Sequence, residues 1–223
     1  MFLIERLSNS IAIKVSKTLD LDAEKQEVLA YGAFSLLQTL WSVGLVMIFG
    51  YLFNVFWEAT IISSSGALLR KYSGGGHATS PNRCAIIGVI MSVGPALILS
   101  SLPIVISIEY VYLYSIITLI SSYYIIYKYS PVDSPNKPIV KEATKKRLKK
   151  ASFNVIHILI LVIVVLCIYY YRDQNNILKN IILSICTGVL WQDITLLPLG
   201  HNFITQIDTF LKNIFSLIGG EIA

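Results

Sequence analysis

Two residue types that make thiol chemistry sit seven positions apart, His77 and Cys84, in the polar stretch Arg70-Lys-Tyr-Ser-Gly-Gly-Gly-His-Ala-Thr-Ser-Pro-Asn-Arg-Cys84. In one continuous helix they would share a face but lie roughly 10 Å apart along the axis, too far for a hydrogen bond. The sequence breaks such a helix. Gly74, Gly75 and Gly76 open conformations closed to other residues. Ser80-Pro81 reads as an N-cap followed by proline at the first helical position. Cys84 then falls in the first turn of a helix, with His77 on the loop before it, able to fold back onto the thiol. The partial positive charge of a helix N-terminus stabilises a thiolate, and Arg83 and protonated His77 would add to it. Such a thiolate attacks a carbonyl, His77 passes the proton to the leaving amine, and backbone N–H groups at the helix start hold the oxyanion.

Taken alone, a His and a Cys at this spacing are a weak signal. A structural interfacial histidine and a small thiol where a helix enters lipid fit the same residues. Metal ligation is poorer, because no second Cys or His lies nearby and a structural site needs four ligands. The glycine run lacks the lysine spacing of a phosphate-binding loop. No metal or other cofactor is expected.

The elements that must position these residues are membrane helices. Of the 223 residues, 55% are hydrophobic and only 14% charged, with a mean hydropathy of +0.67. Soluble domains carry about 25% charged residues. Apolar runs are continuous rather than alternating, which favours helices over a barrel. They cover about 28–49, 55–69, 84–99, 104–127, 153–171 and 177–199. The last is interrupted by Lys179 and Asp193 and is the weakest span. Leu3, Leu7, Ile11 and Val15 repeat every four residues, and 203–214 shows the same spacing. The expected fold is therefore all-α: a polytopic membrane protein with six transmembrane helices, amphipathic helices at both termini, and one domain over residues 1–223. Cys167 and Cys186 lie deep in apolar runs and read as packing thiols. His157 and His201 read as satisfied or interfacial.

Lysine and arginine set the orientation. Arg70, Lys71 and Arg83, the N-terminal lysines, and the 128–150 segment are rich in positive charge, whereas the turns at 50–54 and 100–103 have none. Six spans with both termini and the 70–84 loop cytoplasmic satisfy the positive-inside rule. The formal net charge of +5 is read as loop charge of this kind, not as a nucleic-acid surface.

Arg70, the run Gly75-Gly76-His77-Ala78 and Cys84 resemble the signature of the accessory gene regulator B (AgrB) family, the integral membrane cysteine peptidases of bacterial quorum sensing. The segment from Ser130 to Ile139 before a basic run is also similar, so the resemblance covers nearly the whole chain. It implies a bacterial cell membrane protein acting on a precursor peptide of the AgrD type. Cys84 would cleave off the precursor's C-terminal part and retain the rest as a thioester, with His77 as base and acid. Attack by a Cys or Ser of the precursor would release a thiolactone or lactone ring. The resemblance also implies a homodimer.

Supporting roles are expected for Arg70, Gly75, Gly76, Ser80, Arg83, Asp133, Asn136 and Lys137. Glu58, Glu109, Lys179 and Asp193 are costly in lipid and are candidates to line the bundle interior. Membrane lipid is the other expected partner. A non-enzymatic carrier or exporter of a small peptide is the alternative, with His77 and Cys84 as structure.

Overall fold

Breaks in hydropathy become helix ends. In the computed structural model, which describes residues 3–76, 78–101, 106–133 and 141–217, the order is α1 (Leu3–Leu19), α2 (Ala23–Leu52), α3 (Phe56–Ser73), α4 (Pro81–Ser101), α5 (Ile108–Tyr129), α6 (Glu142–Asp173), α7 (Asn176–Leu196) and α8 (Pro198–Leu217). No strand forms among the described residues. Among them, α2, α4, α5, α6 and α7 are long and apolar enough to cross a membrane.

The remaining central helix, α3, is more polar because it carries Glu58, a run of serines, Arg70 and Lys71. It packs against α2, α4, α6 and α7. A helix surrounded in this way needs little lipid-facing apolar surface, so its composition can depart from that of an outer span.

The weakest span by sequence, α7, is the most buried of the five. Within the bundle, 56% of its spanning window is buried, against 6% for α2. It touches α3, α5, α4, α6 and α8. Gly188 lets α3 approach closely, since a Cβ there would lie 2.1 Å from Ser65 Oγ and 2.3 Å from the Ile62 carbonyl oxygen. Lys179 and Asp193 point inward. Lys179 donates to the Ile106 carbonyl at 3.1 Å, and Asp193 accepts from Ser122 at 3.0 Å. Glu58 is partly buried and accepts from Asn180, whereas Glu109 is exposed in the first turn of α5.

The terminal amphipathic helices both pack and face outward. The buried face of α1 is Ser8, Ala12 and Ser16, set against α2, while Leu7 and Ile11 remain exposed. Small residues four apart allow close packing. The apolar residues are left for the membrane interface. The segment 128–150, expected as a loop, is only partly one: α6 begins at Glu142. Ala143, Leu148 and the lysines between them are good helix formers, and the apolar run that follows continues the helix.

Candidate functional site

Helix ends converge where the Gly-rich loop leaves α3. The last turn of α3, the start of α4, the end of α7, the first half of α8 and the segment after α5 all meet there. Proline opens α4, and the Cys84 N–H donates to the Ser80 carbonyl at 2.9 Å. Ser80 thus holds the N-cap backbone position, as its sequence context predicts. Its side chain does not complete the cap, because Ser80 Oγ is buried without a hydrogen-bond partner among the described residues. Cys84 lies in the first turn of α4, partly exposed and outside any disulfide. Across the start of α4, Gln38 from the middle of α2 donates to the Pro81 carbonyl at 2.7 Å.

Residues 74–76 are held by backbone-directed bonds. Gln192 Nε2 donates to the Gly74 carbonyl at 2.7 Å and to Ser73 Oγ at 3.0 Å. The Gly76 N–H donates to the Thr195 carbonyl at 3.1 Å. Gly74 and Gly75 have φ of 73° and 135°, which side-chain-bearing residues rarely adopt. A Cβ at Gly74 would sit 2.1 Å from the Val132 carbonyl oxygen, and one at Gly75 would sit 2.6 Å from Thr195 Oγ1. The same Val132 forms an isolated parallel bridge with Gly74. The chain after α5 is thereby drawn to the loop, and Asp133, one residue further on, is exposed.

The motif's two arginines behave differently. Arg70 donates to the Gly76 carbonyl, and its guanidinium lies within electrostatic reach of the Cys84 sulfur. Arg83 is buried and turned to α8, where its Nε meets Asp208 Oδ1 at 2.6 Å. Thr79 donates to the other Asp208 oxygen from its backbone N–H at 3.1 Å and its hydroxyl at 2.6 Å. Arg83 Nη2 closes the cluster by donating to Thr79 Oγ1 at 2.7 Å. Burial alone would raise the Asp208 pKa, but the hydrogen bonds from Arg83 and Thr79 outweigh it and hold the carboxyl below its usual range. Removing one partner of a buried pair of this kind costs about 3–5 kcal/mol. Arg83 was expected to support a Cys84 thiolate. Its charge is instead compensated by Asp208, a residue 125 positions away, while Arg70 lies within electrostatic reach of the sulfur.

The structure thus brings Arg70, Gly75, Gly76, Ser80, Arg83 and Cys84 to one end of the bundle, with Asp133 at its margin. His77, Asn136 and Lys137 lie outside the described residues. Sequence reasoning missed Gln192, Thr195 and Asp208. Asp208 had a readable signal, because it follows Gly200 and Ile204 at four-residue steps on the inward face of α8, where a carboxylate needs a partner. His201 was read as satisfied or interfacial. It lies against Gly76, and its Nε2 is buried with no hydrogen-bond partner among the described residues.

Comparison with known proteins adds identity to this geometry. Residues 8–196 match the family described as accessory gene regulator B. A protein named AgrB-like from Clostridium perfringens strain SM101 is 39% identical over 213 residues, covering 95% of this chain and 100% of the relative. A second AgrB-like protein, from C. perfringens strain 13, matches with the same identity and coverage. One from Halalkalibacterium halodurans is 26% identical over 219 residues, covering 98% of this chain and 97% of the relative. No solved structure matches the chain.

Proposed function

This chain belongs to the accessory gene regulator B family, and we propose that it is a membrane-embedded cysteine endopeptidase that cleaves and cyclises an AgrD-type precursor. Family membership carries a role in quorum-sensing peptide processing, and the apolar helices make the chain a multi-pass membrane protein. The observation that carries the finer reading is the placement of Cys84. It is a partly exposed thiol in the first turn of α4, beside a Gly-rich loop and within electrostatic reach of the Arg70 cation.

In the proposed reaction the Cys84 thiolate attacks the carbonyl carbon at the C-terminal side of the future signal. The tetrahedral oxyanion is held by helix-start N–H groups. Pro81 has none and that of Cys84 is bonded to Ser80, which leaves Asn82 and Arg83 as donors. His77 delivers a proton to the amine nitrogen as the C–N bond breaks, and the C-terminal part of the precursor leaves. The N-terminal part stays as a thioester on the Cys84 sulfur. A thiol or hydroxyl of the precursor then attacks the thioester carbonyl, gives its proton to His77 and expels the Cys84 thiolate. The product is a thiolactone or lactone. Both steps are acyl transfers through one nucleophile, so cyclisation needs no nucleotide. Arg70 orients the loop through Gly76 and supports negative charge at the sulfur.

The exposed Lys145, Lys146, Arg147 and Lys150 at the start of α6 suit an acidic precursor segment. Positive charge at this end of the bundle supports a cytoplasmic orientation. Precursors lying on the inner leaflet would then reach Cys84, and two copies of the chain would act as a dimer.

Co-expression with an AgrD-type precursor tests the reading. Cys84→Ala and His77→Ala should each abolish cleavage, and mass spectrometry of the wild type should find the N-terminal fragment as a thioester on Cys84. Full cleavage by Cys84→Ala would overturn it.

A further inference from the structure

The family match ends at residue 196, yet the helix beyond it contributes the buried carboxylate that grips the loop leading into α4. Asp208 takes three hydrogen bonds from residues on both sides of the α4 start, Thr79 and Arg83. Pro81 and Ser80 lie between those two residues, and Cys84 follows directly. A carboxylate that joins Thr79 to Arg83 therefore fixes the rotation and tilt of the turn that presents the sulfur. It also compensates the Arg83 charge through a 2.6 Å ion pair.

We propose that α8 is a clamp on the nucleophile's helix start and that Asp208 is its positioning residue. The proposal rests on the reading of Cys84 as nucleophile. Asp208 does not touch the sulfur. It acts through Thr79 and Arg83, so its loss misdirects the attacking atom without removing a group that binds precursor.

Two readouts on the full-length chain in proteoliposomes test this. One is cleavage of an AgrD-type precursor, resolved into kcat and KM. The other is alkylation by iodoacetamide, followed by mass spectrometry at Cys84 and at Cys186, a buried thiol in the middle of α7. Asp208→Asn is expected to lower kcat by about tenfold to hundredfold with KM nearly unchanged. Cys84 should be alkylated faster as its turn loosens, while Cys186 keeps its wild-type rate. Asp208→Glu should recover much of the loss. Should Asp208→Asn fold poorly, the pair Arg83→Met with Asp208→Leu removes the clamp while retaining apolar packing, and the same pattern is expected.

Wild-type kcat and wild-type Cys84 alkylation in either variant would overturn the clamp. A parallel rise at Cys186 would also overturn it, by showing that Asp208 supports the fold at large. The alkylation arm reports on the clamp even if Cys84→Ala were found to cleave, which separates its failure from that of the proposed chemistry.

Discussion

The loop between α3 and α4 is held at its two ends by different physics. At residues 74–76 the end of α7 uses neutral groups, Gln192 and the Thr195 carbonyl, bonded to glycine backbone. At residues 79–83 α8 uses a buried ion pair centred on Asp208. The first hold depends on shape, since Gly74 and Gly75 have backbone angles and clearances that only glycine meets comfortably. The second depends on charge. A site built this way has one restraint that is insensitive to pH and one that is not.

The sharpest way to break the α7 hold is Gly75→Ala. The new Cβ would sit 2.6 Å from Thr195 Oγ1 at a φ of 135°, adding about 1–3 kcal/mol of strain. Precursor cleavage should fall by about a hundredfold, because a small displacement of a reacting group is that costly. Gly76→Ala is its control. A Cβ there would meet His201 Cδ2 and Ile204 Cδ1 at 3.2 Å and the His201 Cα at 3.6 Å, with no positive φ, and cleavage should fall far less.

A smaller effect is expected from Gln192→Leu. It removes the Gln192 donor from Ser73 Oγ and from the Gly74 carbonyl, which keeps only a long 3.5 Å bond from Ser73 Oγ, and should cost about 1–3 kcal/mol in unfolding measurements. That loss should be the same at every pH. The difference in stability between wild type and Asp208→Asn should instead depend on pH. The Asp208 pKa is held below its usual range in the folded chain, so the unfolded chain takes up the proton first as pH falls. The stabilisation is complete above the ordinary carboxylate value of about 3.9 and disappears as pH drops through the depressed folded value. A pH-independent Asp208→Asn difference would erase the contrast between the two holds.

Much of this was legible in the chain. Continuous apolar runs must be helical because lipid cannot satisfy a bare backbone, and the helix order follows from them. Ser80-Pro81 located the start of α4, and the glycine run located the turn before it. What misled was charge seen without its partner. Lys179 and Asp193 made α7 look marginal as a span, although these residues mark it as the helix the others surround. Arg83 read as a neighbour of Cys84 because it adjoins it in sequence, but successive side chains on a helix point about 100° apart.

The sequence alone determined the membrane class, the helices, the break before α4 and the polar residues gathered near Cys84, since each follows from local composition and backbone chemistry. Tertiary structure decided that Arg83 pairs with Asp208, which helix is central, and that α8 reaches back to residues 79–83. Those outcomes depend on a carboxylate 125 positions from its partner. Burial makes that pairing compulsory, because neither charge is stable in the bundle without the other.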